Sequence, residues 1–237
     1  MKKDLAVTSN LDDALSELNK EHSLSQVLSR SRSLDDAFRK LAWEERLPAP
    51  GRLDVRNIHT DNELDEIYRL VHDAYAERGY IEPHPDGRLI LYPHLDHIPQ
   101  TTVLVAVEGG KVVGTNSLTL DGPNGLPSDE DFKKECDAIR REGRPLASSW
   151  RLCTRTGFRD ERRIVMGLIA KTVRLALECG VRTCVFTINP RHAGVYQSLL
   201  NMKLVARKEE TVQGLQNAPA VFMRCDFEAL PKWCLKA

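Results

Sequence analysis

Several things this 237-residue chain lacks narrow what it can be. No apolar run approaches the roughly 20 residues needed to span a bilayer. The start, Met1-Lys-Lys-Asp, leads into polar sequence and not into the apolar core of a signal peptide. There is no excess charge of either sign: 34 Lys and Arg offset 34 Asp and Glu. Bulk attraction to nucleic acid is therefore missing, and aromatics, at 6%, are too few to suggest a base-stacking surface. The six cysteines form no Cys-x-x-Cys and have no neighbouring His at zinc spacing, so no metal site is expected. Cys153, Cys184 and Cys225 lie in apolar, strand-like runs. They have the character of small buried hydrophobes in a reducing compartment, which makes the cytoplasm the expected location.

What is present is 41% hydrophobic, ordinary for a globular domain. Residues 1–50 are polar, with helical spacing at Leu11, Leu15 and Leu18 and again at Leu34, Phe38 and Leu41. Pro48-Ala-Pro-Gly51 then breaks the chain, so 1–50 is expected to be a helical N-terminal extension and 51–237 the domain. Leu53–Ile58 alternates as a strand, and Asp61 opens a helix with Leu64, Ile67, Tyr68 and Val71 on one face. Residues 79–100 form a long loop, and loops of that length are more often functional than accidental. Thr102–Val107 and Val112–Leu120 around Gly109-Gly110 predict a hairpin, and Asp131–Arg141 a charged helix.

The stretch from Ser149 to Leu200 carries the chemistry. Trp150–Thr156 alternates as a strand, a turn follows at Gly157, and Ile164, Leu168, Val173, Leu175 and Ala176 mark a long amphipathic helix closed by Gly180. A strand-to-helix turn presents free backbone N–H groups to an anion. Five arginines, at 151, 155, 159, 162 and 163, surround it. They suit a phosphate or the acidic face of a carrier protein, and equally a solvated, salt-bridged surface. Arg182–Ile188 is the next strand, with parallel pairing to 150–156 expected across the helix. In Asn189-Pro-Arg-His192, Asn189 is placed to cap a helix and Pro190 to begin it. His192 fits a base or a helix-start residue. Tyr196, four residues on, fits an acid for a leaving thiolate or a core tyrosine. Two strands that splay apart, a phosphate-holding loop and a hydroxyl near the departing sulfur together point to acyl transfer. The element order is that of a mixed α/β (α+β) fold whose central sheet is flanked by helices, the order of the GNAT acyltransferases.

Tyr75-Ala-Glu-Arg-Gly-Tyr-Ile81, Val113-Gly-Thr115, Gly125-Leu-Pro127 with Phe132 and Glu135, Arg151-Leu152, and Ile188-Asn-Pro-Arg-His192 with Tyr196 occur in that sequence order. As a set, over Leu53–Phe227, they resemble the long-chain N-acyl amino acid synthases of the FeeM type, a GNAT-fold branch related to acyl-homoserine lactone synthases. The resemblance implies transfer of a fatty acyl group from acyl carrier protein to the α-amine of an amino acid. The co-substrate is then acyl-phosphopantetheine on its carrier, with acyl-coenzyme A as the alternative donor and no bound cofactor. Residues 155–163 hold a single glycine, Gly157, and so lack the pyrophosphate loop of coenzyme A-dependent relatives; this favours the carrier protein. Leu152, Cys153, Thr154, Arg155 and Asn189 are the expected acyl and pantetheine contacts. Arg155, Arg159, Arg162 and Arg163 are the expected carrier-docking residues, and Tyr196, His192 and Ser148 the expected catalytic set.

One departure stands out. The resemblance implies a glutamate shortly before the Arg-Leu pair, where this chain has Ala147-Ser-Ser149, with Ser148 in its place. A serine cannot act as that carboxylate base without an activating group. His192, His97, Asp96 and Glu82 are the candidates to take the proton instead. The departure also leaves open an acyl-homoserine lactone synthase-like enzyme and a non-catalytic module that binds acyl chains or their carrier.

Overall fold

The structure, a computed structural model, describes residues 53–157, 161–208, 215 and 218–230. The expected extension 1–50 and Arg159 lie outside the described residues. The strands are β1 (Asp54–Asn57), β2 (Thr101–Glu108), β3 (Lys111–Leu120), β4 (Leu146–Thr154), β5 (Thr183–Ile188), β6 (Lys203–Lys208) and β7 (Ala220–Asp226). The helices are α1 (Asp61–Ala76), α2 (Asp129–Arg140), α3 (Glu161–Glu178) and α4 (Ala193–Leu200). The strands form one mixed sheet in the order β1-β2-β3-β4-β5-β7-β6. Its only parallel pair among the described residues is β4–β5.

Alternation along each strand sorts the core into two layers. Val103 and Val105 of β2 pack with Leu64, Ile67, Tyr68 and Val71 of α1, while Leu104 and Ala106 pack with Ile164 and Leu168 of α3. In β5, Val185 joins Phe132 and Ile139 of α2, whereas Cys184 and Phe186 join Met166 and Val173 of α3. Helices α1 and α2 therefore cover one face, and α3 and α4 the other. The approach of α3 to β3 depends on Gly114: a Cβ there would lie 2.5 Å from Ile164 Cγ2 and 3.2 Å from the Cys153 carbonyl oxygen.

Local signals explain the helix ends. Thr60 Oγ1 accepts from Glu63 N–H at 3.2 Å, capping α1. Gly180, at φ +74°, lets the chain leave α3 while Val181 N–H donates back to the Ala176 carbonyl at 2.9 Å. Helix α2 begins at Asp129, two residues before the expected start.

The larger correction concerns β4. It begins at Leu146 and not at Trp150, and its parallel register with β5 runs Leu146↔Thr183, Ala147↔Cys184, Ser148↔Val185 and stops. The expected pairing through 150–156 does not form. Residues 150–154 pair with β3 alone, and there β4 carries an extra residue: Thr115 faces Cys153 while Ser117 faces Trp150. Arg151 takes the bulge at φ +62°.

Candidate active site

Beyond Ser148 and Val185 the two parallel strands diverge, and a cavity of about 260 Å³ opens in the gap. Strand β4 has β3 on one side only from here on, so its backbone groups facing β5 have no partner strand. The apolar wall comes from Val165, Ile169 and Val173 of α3, Phe186 of β5, and Leu200 and Met202 after it. An apolar cavity with a few placed polar groups is the ordinary form of a small-molecule site.

Two polar clusters sit on opposite sides of the gap, because Ser148 and Ser149 are consecutive strand residues. On the α3 side, Asn116 Nδ2 donates to Ser149 Oγ at 3.0 Å and to Thr172 Oγ1 at 2.7 Å, and Ser149 Oγ donates to Asn116 Oδ1 at 3.2 Å. On the α2 side, Ser148 and Ser128 hydroxyls meet at 3.3 Å, and Thr187 Oγ1 donates to Ser128 Oγ at 3.3 Å. Ser148 is fully buried, and its hydroxyl has another hydroxyl beside it in place of a base. The trio holds no group that takes a proton at neutral pH.

The turn after β5 supplies the rim. Asn189 caps it, accepting from Arg191 N–H at 3.2 Å, and its Nδ2 donates to Tyr80 Oη at 3.1 Å. Arg191 Nε–H donates to His192 Nε2 at 3.2 Å. An arginine nitrogen can only donate, so His192 Nε2 is the acceptor and the proton of the neutral ring sits on Nδ1. That Nδ1 is buried and has no hydrogen-bond partner. Burial, with Arg191 and Arg78 nearby, pulls the His192 pKa down to about 4. The ring is thus neutral at pH 7 and presents a donor, which argues against the general-base role expected for it. Tyr196 lies deeper, its ring 6.1 Å from Phe186, and burial pushes its hydroxyl up to about 12. It stays protonated at neutral pH, as an acid must.

The other candidate bases fall away for different reasons. Asp96 is held by Arg151 at 2.7 and 3.2 Å, with both side chains fully shielded, and Tyr68 Oη donates to it at 2.9 Å. His97 and Glu82 are exposed and line no part of the cavity. Among the described residues, Glu161, at the start of α3, is the one carboxylate that lines the cavity.

Of the expected contacts, Ser148, Leu152, Cys153, Thr154, Asn189, His192 and Tyr196 all meet in this cavity. Arg155 does not: its Nε donates to the Val112 carbonyl at 3.2 Å, which turns the side chain back onto β3. Arg163 is paired with Glu108, and Arg162 is half-buried, so neither forms the open basic cluster expected for docking. Sequence reasoning passed over Asn116, Thr172 and Arg78. The first was detectable as an amide inside a strand whose neighbours are otherwise small or apolar; the second as a polar residue on the apolar face of α3. Arg78 lies within the Tyr75–Ile81 stretch but drew no role there.

A mixed sheet splayed between its parallel strands, with a bulged β4 and an apolar cavity in the gap, defines an N-acyltransferase of the GNAT fold. The comparisons agree. The family model of the N-acyl amino acid synthase FeeM matches residues 66–226. The solved structure of FeeM, an N-acyl amino acid synthase from uncultured soil microbes, superposes with a TM-score of 0.64 at 27% identity, covering 77% of this chain and 93% of that one. The acyl-homoserine lactone synthase LasI superposes at 0.55 and 14% identity over 74% and 90% of the two chains. An acyl-CoA N-acyltransferase from Pseudomonas aeruginosa does so at 0.50 and 15% identity over 73% and 98%. No curated protein matches the chain. The chain belongs to the FeeM N-acyl amino acid synthase family. Among its described residues, no helix is long and apolar enough to cross a membrane.

Proposed function

We propose that this acyltransferase moves a long-chain fatty acyl group from acyl carrier protein to the α-amine of an amino acid. The observation that carries the proposal is the end of β4–β5 pairing at Ser148↔Val185, with an apolar cavity filling the gap. The unpaired edge of β4 suits the amides of a pantetheine arm, which would lie along it as a missing strand, and the apolar wall suits the acyl chain.

The amine attacks the thioester carbon and the C–S bond breaks. Charge gathers on the carbonyl oxygen and then on sulfur. The β5-side edge of β4 past Ser148 has no partner strand among the described residues, and backbone N–H donors along such an edge suit the oxyanion. Tyr196, kept protonated by burial, gives its proton to the departing thiolate. With Ser148 in a hydroxyl trio and His192 acting as a donor, the amine enters already neutral; on forming the amide its nitrogen releases one of its two protons to solvent, and solvent returns one to Tyr196. Docking of the carrier falls to the exposed strand-to-helix turn at Thr156-Gly157, just past the end of β4.

Mass spectrometry of the purified protein with long-chain acyl carrier protein and the twenty amino acids tests the reading. An amide-linked product identifies acceptor and acyl length together. Parallel reactions with acyl-coenzyme A assign the donor. No product from either donor, with acyl carrier still bound, removes the reading.

A further inference from the structure

The rim of the cavity concentrates positive charge. Gly79, at φ +67°, reverses the chain after α1, so that Tyr80 folds back against Tyr75 with ring centroids 5.8 Å apart. Tyr80 then ties this turn to the one after β5. Its hydroxyl accepts from Asn189, and the Arg191 guanidinium lies over its ring, 5.4 Å from the centroid. The two turns meet across the mouth of the gap, and both place an arginine in its lining: Arg78 and Arg191.

Arg78 is half-buried, and its Nη1 donates to the Ala74 carbonyl at 2.6 Å, which fixes the side chain along the end of α1. No carboxylate among the described residues pairs with it. Its neighbour Glu77 is engaged instead by the Thr156 hydroxyl at 3.0 Å. An arginine that lines an apolar cavity without an acid beside it is costly unless an anionic ligand completes it. Burial is the main cause of the lowered His192 titration, and Arg191 and Arg78, both close to the ring, lower it further.

We infer that Arg78, with Arg191 beside it, is the subsite for the carboxylate of the acceptor. The inference rests on the proposed amino acid acceptor and adds to it which residues select an α-amino acid over a plain amine. A planar guanidinium held at a fixed angle suits a carboxylate through two parallel hydrogen bonds. With the carboxylate at the rim, the α-amine one carbon away points down into the gap toward β4. The phosphate of pantetheine is the other anion that reaches this mouth, and the test separates the two.

Calorimetric binding of N-dodecanoylglycine and its primary amide needs no turnover and probes the subsite directly. The wild-type protein is expected to bind the acid at least about tenfold more tightly than the amide, the range for a hydrogen-bonded charge. Arg78→Gln is expected to bring the two to within about twofold, while Arg78→Lys keeps most of the preference and shows that the fold tolerates change there. Binding of 4′-phosphopantetheine is expected to be the same in wild type and Arg78→Gln. Equal binding of acid and amide by the wild type, or a preference untouched by Arg78→Gln, overturns the assignment. So does a loss confined to phosphopantetheine, which gives the arginine to the donor. A retained acid preference in a protein that makes no amide product leaves the subsite standing and removes the proposed reaction.

Discussion

Arg151 and Asp96, separated by 55 residues, form an ion pair with both side chains sealed from solvent, Nη2 to Oδ1 at 2.7 Å. Arg151 Nη2 also donates to Ser117 Oγ at 2.8 Å, and the guanidinium lies 4.4 Å from the Trp150 ring centroid. The pair pins the 79–100 loop to the bulge of β4. It holds a residue at φ +62°, a backbone conformation that a side chain adopts only under constraint.

Breaking one half of this pair strands the other charge. Asp96→Asn is expected to destabilise the protein by about 3–5 kcal/mol. The double variant Asp96→Asn with Arg151→Met is expected to lose clearly less than the sum of the two single changes, since it leaves no buried charge. Urea unfolding of the four proteins reads this; additive losses would show that the two residues act separately.

His192 makes stability depend on acid. Its folded pKa of about 4 lies below the usual histidine value near 6.5, so between these pH values the unfolded chain binds a proton that the folded one refuses. Its contribution is complete above pH 6.5 and falls away as pH drops towards 4, by about 3 kcal/mol. His192→Gln is expected to flatten the profile of unfolding free energy over that window. A variant as acid-sensitive as the wild type would place the effect elsewhere.

Tyr196→Phe removes a hydroxyl and little volume. If Tyr196 protonates the leaving thiolate, kcat drops about 100-fold, while binding of an unreactive acyl-carrier analogue changes by less than about threefold. Pre-steady-state amide formation is the measurement, and an unchanged rate returns Tyr196 to a packing role beside Phe186.

Ser148→Ala takes away one member of a hydroxyl trio whose spacings, at 3.3 Å, are already long. Turnover is expected to stay within about threefold of the wild type, because a serine without a base beside it is a poor nucleophile. A loss approaching 100-fold in the same assay would make Ser148 a participant in the chemistry.

Much of this was legible in the sequence because the signals are local. The apolar face of α3, the glycine that closes it, and Asn189 with Pro190 at the next turn each depend on residues within a few positions of one another. The seam between β4 and β5 was not legible. Alternation along Trp150–Thr156 records that a strand has two faces and says nothing of whether a neighbour lies on each edge, so pairing was expected up to Thr156, well past Ser148 where it ends. Nor did any spacing foretell that Asp96, in an irregular loop, would be spent on Arg151. Its carboxylate looked available as a base for the same reason that its partner was invisible. Arg155 and Arg163 show the converse: a run of arginines suggests an open patch, but each finds an acceptor on the β2–β3 hairpin.

Three residue pairs are all that join β4 to β5, and on either side of them the sheet is two units, β1 to β4 and β5 with β7 and β6. A ligand lying in the gap touches both units and bridges a join that the polypeptide leaves short. Occupancy therefore acts on the cohesion of the whole domain, raising its resistance to unfolding with the logarithm of ligand concentration once that exceeds Kd. The empty protein should exchange the amide hydrogens flanking Ser148 and Val185 faster than those of the hairpin interior. The short seam that makes room for substrate also makes the protein least cohesive when no substrate is there.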